Sequence, residues 1–567
     1  MLVVEKMMAP PNLDYPRNLE NFSKTIFGLS YTELSRLIYP RPVYGYFYIR
    51  KKDGGNRLIE APSKAIKSIQ YSFLKWLNDN IPMAPQAPVH GFVKGKSVYT
   101  NAKFHFDNKP YAIIHFDIKD FFQSISFYRV RGLFLKSPFN FPYEIATVCA
   151  HVCCYEKHLP QGAPTSPFIS NMICYRLDRQ LNYFAKKLNV AYSRYADDLT
   201  FSMQKTVFQR HSFNFIKNQG EDITAAIGIR QIIENNSFSL NDSKTYLKKR
   251  PGRLLVNNIK INQKLNLNRL YIDEIRGILH SIKKYDWKSA NEQFLRKVDK
   301  SVTERSCYGD LAERHLENYL RGKILYLKMI KGDLDPVVRR FVKSFNSLQP
   351  CSPIPFDWRV TSFEEAKTAV FVVEVTGDCC DKENKSCCIT EQGTAFAFLD
   401  QKLFLTCNHV LEDGTAHASS PSFSGSINIT NPEDPSVTYD CECVFFDRNR
   451  DYAVLKVKDN IPEHHIFTSA TTNHFPANGY SLGFPDWHIG RKLELRETKI
   501  LSANTLSGRR YLSTSGNIGA GQSGGALVND NFEAVGIMLE GAIFEKNNNI
   551  SLNIEEVISN YKPTLKS

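Results

Sequence analysis

The stretch AYSRYADDLTFSM, residues 191–203, sets two adjacent carboxylates, Asp197 and Asp198, between two short runs of β-favouring residues. This pattern predicts a strand, a turn over residues 195–198 and a second strand. Another apolar run, residues 111–116, ends at a third carboxylate, Asp117. Paired Asp residues are also common in surface turns, so the pair alone leaves the choice between a site and a turn open.

The chemistry of three carboxylates depends on whether the chain brings them together. Converged carboxylates repel one another unless a divalent cation lies between them. Ligands that are all oxygen atoms favour Mg²⁺ or Mn²⁺ over zinc. Two such ions can stabilise both the attacking and the leaving oxygen in phosphoryl transfer. The sequence therefore indicates a candidate magnesium site for phosphoryl transfer.

The stretch LPQGAPTSP, residues 159–167, completes a set of boxes that resembles reverse transcriptases, in that family's order. The resemblance covers roughly residues 30–260. It implies an RNA-directed DNA polymerase with an α+β right-hand fold of fingers, palm and helical thumb. By the same resemblance, Asp117, Asp197 and Asp198 are the catalytic carboxylates and the ligands of two Mg²⁺ ions.

The resemblance also implies a pocket for a deoxynucleotide triphosphate. Phe122 stands at the family's steric gate, where a ring excludes the ribose 2′-hydroxyl, although a core aromatic is the simpler alternative. A basic hairpin at residues 44–62 matches the fingers that grip the triphosphate, although its lysines also fit a solvated turn. The residues expected to bind the nucleotide are Lys52, Arg57, Phe122, Gln161 and Lys244.

The stretch NAKFH, residues 101–105, resembles the Asn-Ala-x-x-His signature of retron reverse transcriptases. That group usually carries Val-Thr-Gly where this chain has Val256-Asn257-Asn258. The resemblance implies a structured noncoding RNA, primed from an internal guanosine 2′-hydroxyl and copied into branched RNA–DNA, or msDNA. The residues expected to contact that RNA are Asn101, His105, Val256, Asn257 and Asn258.

A second group of chemical residues lies in the last third of the chain. The stretch GQSGG, residues 521–525, places Ser523 among glycines, which let backbone amides point at one spot beside the hydroxyl. The run LFLTCNHVL, residues 403–411, predicts a strand ending in His409, and another strand is predicted to start at Asp451.

The chain order His409, Asp451, Ser523 resembles that of trypsin-like serine proteases, over roughly residues 365–560. The resemblance implies an all-β chymotrypsin-like double barrel without a cofactor. Ser523 would attack a carbonyl, His409 would move the proton, and Asp451 would orient the imidazole. The amides of Gly521 and Ser523 would form the oxyanion hole. Gln522 and Asn517 replace aspartates of digestive enzymes, so neither a zymogen switch nor cleavage after Lys or Arg is expected.

Charge divides the chain in the same way as the motifs. The 567 residues carry a formal net charge of +14. Residues 1–350 hold 54 Lys and Arg against 30 Asp and Glu, a net +24, whereas residues 351–567 hold 18 against 28, a net −10. We expect the basic part to bind RNA and its DNA product by neutralising phosphates. The acidic part would act on a protein substrate whose identity stays open, and self-assembly on the nucleic acid stays open too.

Four domains are expected along the chain. They are the fingers and palm over 1–262, a basic thumb over 263–349, a linker over 350–364 and the protease domain over 365–567. No apolar run approaches the ~18 residues of a membrane span, and the start lacks an export signal. The 13 cysteines fit a reduced bacterial cytoplasm. Cys379, Cys380, Cys387 and Cys388 would form either a reduced hairpin or, less favoured, a zinc site.

One function unites these features. A retron reverse transcriptase fused to an effector protease would copy its own RNA and act in antiphage defence. The alternative is a nucleic-acid scaffold with a vestigial polymerase, in which proteolysis is the only activity. A third reading keeps the polymerase and leaves the protease domain a peptide binder.

Overall fold

The computed structural model describes residues 15–50, 55–81, 87–219, 222–297, 315–380, 386–411, 425–516, 521–539 and 549–561. The chain divides into two compact units, Met1–Ile354 and Pro355–Ser567. The boundary falls inside the expected linker. No helix of these residues is long and apolar enough to span a bilayer.

The first unit is mostly helical around one small sheet. Its helices are α1 (Leu19–Phe27), α2 (Tyr31–Ile38), α3 (Lys64–Asn80), α4 (Val98–Asp107), α5 (Phe127–Leu135), α6 (Tyr143–Cys153), α7 (Ser166–Ile173), α8 (Tyr175–Lys187), α9 (Lys205–His211), α10 (Ile227–Glu234), α11 (Arg269–Lys297), α12 (His315–Lys331) and α13 (Pro336–Asn346). Its strands are β1 (Tyr44–Arg50), β2 (Asn56–Pro62), β3 (Ala112–Asp117), β4 (Ala191–Tyr195), β5 (Asp198–Met203), β6 (Ile216–Gln219), β7 (Asp222–Ala225), β8 (Tyr246–Lys249), β9 (Leu255–Val256) and β10 (Ile259–Lys260).

The central sheet has the strand order β4-β5-β3-β8, with every neighbouring pair antiparallel. Its middle strands are buried, with Ile114 and Phe116 on β3 and Phe201 on β5 wholly inaccessible. The predicted strand, turn and strand over 191–202 are therefore confirmed, and so is the strand ending at Asp117. The buried apolar residues of these strands belong to the large core that also includes the buried faces of α3, α6 and α8.

Two helical stretches of the first unit are interrupted. Residues 166–187 form two helices, α7 and α8, which meet at Cys174, where the backbone N–H contacts both Ser170 O and Met172 O. The long helix α11 contains a non-helical residue, Asp286, with φ 74°. Three helices, α11, α12 and α13, occupy the region where the thumb is expected. α13 begins at Pro336, and the carboxylate of Asp335 caps it.

The second unit is all β apart from short helical turns. Its strands are β11 (Val370–Cys380), β12 (Ser386–Ala397), β13 (Leu403–Thr406), β14 (Ser426–Thr430), β15 (Thr438–Asp447), β16 (Tyr452–Val457), β17 (Ala477–Gly483), β18 (Glu494–Leu506), β19 (Arg509–Thr514), β20 (Ala526–Val528), β21 (Ala534–Met538) and β22 (Asn549–Asn553). Its helices are α14 (Phe363–Ala366) and α15 (Ile554–Asn560). These strands close two barrels, β11-β12-β13-β16-β15-β14 and β17-β18-β19-β22-β21-β20. This is the chymotrypsin-like double barrel expected from the sequence.

The strand expected to end in His409 is shorter than the apolar run that predicted it. β13 ends at Thr406, and His409 begins a 3₁₀ turn, His409–Leu411. Val410 and Leu411 remain buried, which explains why the run looks continuous in the sequence. His409 therefore lies in the turn that follows β13 and not in the strand.

Candidate functional site

Strand register brings the predicted polymerase carboxylates together. Asp117 is the cross-strand partner of Asp198, and Asp197 lies in the turn that joins β4 to β5. The backbone also connects the two segments, since Ile118 N donates to Asp197 O at 3.0 Å. The three side chains do not form a group whose ligand oxygens all lie within 4.8 Å of one another.

The electrostatics of this cluster are those of crowded carboxylates. Burial, helped by the negative charges of Asp198 and Asp117, raises the pKa of Asp197 to about 6. Lys244 Nζ lies 3.0 and 3.1 Å from the two carboxylate oxygens of Asp117. Burial lowers the pKa of Lys244, but the ion pair with Asp117 outweighs it and the net shift is upward. A cation thus stands against one of the carboxylates.

A cavity of about 460 Å³ adjoins the carboxylates. Its lining includes four of the five residues predicted to bind the nucleotide, namely Arg57, Phe122, Gln161 and Lys244. Asp117 and Asp197 line it as well. The Phe122 ring packs against Phe92 at a centroid distance of 6.2 Å. The fifth residue, Lys52, lies outside the described part of the chain.

The turn that carries Asp197 is held by a buried network that the sequence reading missed. Arg194, wholly inaccessible, forms a two-point ion pair with Asp178, with Nε–Oδ1 and Nη2–Oδ2 both 2.8 Å. Its Nη1 donates to Ala196 O at 3.0 Å, inside the turn, where Ala196 has φ 57°. Gly91 backs this turn so closely that a Cβ there would lie 2.4 Å from Ala196 N. The sequence does contain a signal for this network, because Arg194 is a charged residue within a run of β-favouring residues.

Gln161 is fixed by the fingers hairpin. Its backbone N–H donates to Glu60 Oε2 at 3.2 Å, and its backbone carbonyl accepts from Glu60 N at 3.0 Å. His158 Nε2 lies 3.0 Å from the same carboxylate, whose hydrogen bond raises the pKa of His158. Gly162, with φ 143°, lets the two backbones approach, because a Cβ would lie 2.6 Å from Glu60 O.

The residues predicted to contact RNA lie at two depths. Asn101 and His105 on α4 are wholly buried, so their side chains have no access to RNA in this structure. His105 bridges β4 and β5, with Nε2 and Nδ1 each 2.7 Å from the hydroxyls of Ser193 and Ser202. Burial lowers its pKa to about 3. Val256 is also buried.

Asn257 and Asn258 line a groove of about 1,030 Å³ between the β9–β10 hairpin and the thumb helices. Basic and aromatic side chains form much of its wall, among them Arg253, Lys260, Arg269, Arg276, Lys323, Tyr271 and Tyr326. Such a lining suits a nucleic-acid backbone with stacked bases.

The second unit joins two of its three predicted catalytic residues directly. His409 Nδ1 lies 2.7 Å from Asp451 Oδ2, and His409 N donates to Asp451 Oδ1 at 2.9 Å. Asp451 has φ 54°, a conformation that Asp tolerates better than most residues. The ligand atoms of Cys407, His409 and Asp451 lie within 4.8 Å of one another. These contacts hold the imidazole against the carboxylate, which is the arrangement that a general base and its orienting carboxylate require.

The loop that carries Ser523 is held on the first barrel by hydrogen bonds from Thr394. Thr394 N donates to Ser523 O at 2.8 Å, and Thr394 Oγ1 donates to Gly521 O at 2.8 Å. Gly524, with φ 85°, sits so close that a Cβ would lie 2.2 Å from Thr394 O. Ser523 itself is 2% exposed. Thr394, on β12, is therefore a further residue of the site.

Two further expectations fall largely outside the described residues. Asn517 lies in an undescribed segment, and so do the side chains of Cys379, Cys380, Cys387 and Cys388. The backbone register of β11 and β12 sets Cys379 opposite Cys387. Whether these cysteines bind zinc stays a prediction.

Comparison with known families matches each unit separately. Residues 49–255 match the reverse transcriptase (RNA-dependent DNA polymerase) family. Residues 393–537 match the trypsin-like peptidase domain family.

Relatives of the first unit are retron enzymes. The chain is 32% identical over 279 residues to the Retron Ec86 reverse transcriptase of Escherichia coli, covering 48% of this chain and 80% of that protein. It is 33% identical over 257 residues to the Retron Mx65 reverse transcriptase of Myxococcus xanthus, covering 42% of this chain. The chain spans only 55% of the length of the Mx65 enzyme.

Solved structures similar to the chain include proteases. The active form of the Rv3671c protease from M. tuberculosis has 20% identity and a TM-score of 0.27, with 34% of this chain and 79% of that chain covered. An HtrA-type protease with a decapeptide has 18% identity and a TM-score of 0.28 over 34% of this chain and 63% of that one.

Proposed function

The chain belongs to the retron reverse transcriptases and also carries a trypsin-like peptidase domain, and from this we propose that it makes msDNA and is a protease effector. One observation carries the polymerase half of the proposal. Asp117 and Asp198 are cross-strand partners beside a cavity that Arg57, Phe122, Gln161 and Lys244 line. If the paired Asp residues belonged to an ordinary surface turn, these residues would not be expected to lie beside them.

The chemistry of the carboxylates supports a role in holding a pair of divalent ions. Burial, with the negative charges of Asp198 and Asp117, raises the pKa of Asp197, and the ammonium of Lys244 lies against Asp117. Asp117, Asp197 and Asp198 would hold the ions, which supply Lewis-acid stabilisation of the oxygens in phosphoryl transfer. Arg57 and Lys244 would hold the triphosphate, and Phe122 would lie against the sugar.

The nucleic-acid partner is proposed from charge and shape. The first 350 residues carry a net +24, and the groove beside the thumb is basic and aromatic. We assign this groove to the structured noncoding RNA and its DNA copy, held mainly through phosphates. Self-priming from a guanosine 2′-hydroxyl would give the branched product.

The polymerase proposal is tested by primer extension with the full chain, deoxynucleotides and Mg²⁺. Incorporation should occur and Asp197→Asn should abolish it. No incorporation by the wild-type protein would favour the alternative, a scaffold whose only activity is proteolysis. Phe122→Val should raise ribonucleotide use by about 10- to 200-fold, the range for a small steric contact.

The protease proposal rests on the His409–Asp451 contact and on the seated Ser523 loop. Asp451 holds the imidazole so that its other nitrogen can accept the Ser523 proton during attack on a peptide carbonyl. The amides of Gly521 and Ser523 would stabilise the oxyanion, at about 2.7–4 kcal/mol per donor. A fluorophosphonate probe should label the wild-type chain and not Ser523→Ala. Absence of labelling would favour a peptide-binding domain.

The biological role is proposed as antiphage defence in the bacterial cytoplasm, with msDNA restraining the protease until phage infection. The test is phage plating on bacteria that express the chain with its adjacent noncoding RNA. Protection should be lost with Ser523→Ala, and branched DNA should be lost with Asp197→Asn. Protection that survives Ser523→Ala would overturn the effector role.

A further inference from the structure

The β9–β10 hairpin turns through two residues in left-handed conformation. Val256 pairs with Ile259, so the turn consists of Asn257 and Asn258, whose φ values are 46° and 65°. Two-residue turns of this kind need positive φ at both positions, and Asn is among the few side chains that accept it. Backbone conformation explains why Asn is tolerated here, but it does not explain where the Asn257 side chain points.

That side chain reaches the polymerase site. Asn257 Nδ2 donates to Asp198 Oδ2 at 3.3 Å. Its own carbonyl oxygen accepts from Asn101 Nδ2 at 2.6 Å. Because an amide presents its oxygen and its N–H₂ group on opposite sides, the bond from Asn101 orients Asn257 so that it donates to the carboxylate. His115 Nε2 lies 3.3 Å from the other carboxylate oxygen of Asp198.

Asn101 is placed inside the protein at a cost. Its side chain is wholly buried, and its Oδ1 atom has no hydrogen-bond partner in the part of the chain that the structure describes. An unsatisfied buried acceptor destabilises the folded protein. Among the described residues, the hydrogen bond of the Asn101 side chain goes to Asn257.

We propose that Asn257 is a positioning residue for Asp198 and that Asn101 is the positioning residue for Asn257. The pair fixes the direction of the Asp198 carboxylate, so that the cluster binds divalent ions with little side-chain rearrangement. This inference rests on the proposed polymerase function. It gives Asn101 a role in the site without an RNA contact.

The experiment uses Asn257→Gly, because glycine keeps the left-handed turn and removes the amide. Asn189→Gly is the matched control, since Asn189 also has a positive φ, 54°, and is exposed in the turn after α8. Binding of Mn²⁺ is measured on the full chain by electron paramagnetic resonance of the free ion. Primer extension is measured in parallel against Mg²⁺ and deoxynucleotide concentration.

Asn257→Gly should weaken Mn²⁺ binding about 3- to 10-fold and raise the Mg²⁺ concentration for half-maximal rate by the same factor. The KM for deoxynucleotide and the melting temperature should stay near wild type. Asn101→Ala should give the same shift, and the double variant should add little to either single change, as expected for residues acting in series. Asn189→Gly should match wild type in all of these measurements.

Unchanged Mn²⁺ binding in Asn257→Gly would overturn the inference, and so would additive effects of Asn101→Ala and Asn257→Gly. A wild-type chain without polymerase activity would refute the proposed function, but Mn²⁺ binding would still decide whether the two amides position Asp198.

Discussion

The two catalytic centres are held in place by different means. In the first unit, charged side chains do much of the holding, with Arg194 on Asp178 and Lys244 on Asp117. In the second unit, the Ser523 loop is held by uncharged hydrogen bonds from the amide and the hydroxyl of Thr394 and by the close approach of Gly524. A centre held by charges can respond to pH, ions and nucleic acid, whereas one held by uncharged contacts responds chiefly to steric change.

The sharpest test of this comparison is whether the two chemistries separate. Ser523→Ala should lower peptidase kcat by about 10⁶-fold, since the nucleophile is lost, and should leave primer extension unchanged. Asp197→Asn should abolish primer extension and leave fluorophosphonate labelling unchanged. A loss of both activities in either variant would mean that the two centres depend on each other.

The buried ion pair gives the next largest effect. Arg194→Met should destabilise the first unit by about 3–5 kcal/mol, because it leaves Asp178 charged and unpaired inside the protein. Hydrogen exchange of palm-sheet peptides in the full chain measures this. The double variant Arg194→Met/Asp178→Leu should cost less than Arg194→Met alone. A single variant as stable as wild type would contradict the charge-held picture.

In the second unit, we expect a steric change to lower the stability, as the loss of a buried charge does in the first unit. Gly524→Ala places a Cβ 2.2 Å from Thr394 O at a φ of 85°, so about 3 kcal/mol of stability and most peptidase activity should be lost. Gly508→Ala is the matched control. Gly508 has a φ of 76° with nothing within 4 Å of a Cβ, so it isolates backbone strain of roughly 1 kcal/mol. Equal losses in both variants would show that close approach is unimportant.

The smallest effect is the response of the first unit to pH. The pKa of Asp197 is raised to about 6, so the folded state prefers the protonated group and gains stability as the pH falls through 6. At pH 7.5 in EDTA, Asp197→Asn should therefore stabilise the palm sheet by about 1–3 kcal/mol. The gain should shrink towards pH 4.5, and Mg²⁺ should stabilise only the wild type. If the gain in stability did not depend on pH, the raised pKa of Asp197 would not be its cause.

Much of the site could be predicted because its residues occur in short local patterns. Asp197 and Asp198 lie in a strand–turn–strand pattern of period two, and Ser523 lies among glycines. The end of β13 was predicted three residues too late, because Val410 and Leu411 are buried on a 3₁₀ turn and look like strand residues in the sequence. Periodicity reports burial, and two different local structures can bury the same residues.

The sequence by itself determined the two chemistries, the chain order of their residues and the division of charge between +24 and −10. Only the tertiary structure decided that His105 bridges two strands, that Asp178 pairs with Arg194, and that Asn101 orients Asn257. These are contacts between residues 16 to 156 positions apart. Local propensity carries no information about such pairs, because their partners are set by strand register and by how helices pack on the sheet. The buried polar contacts therefore appear only when the chain is folded.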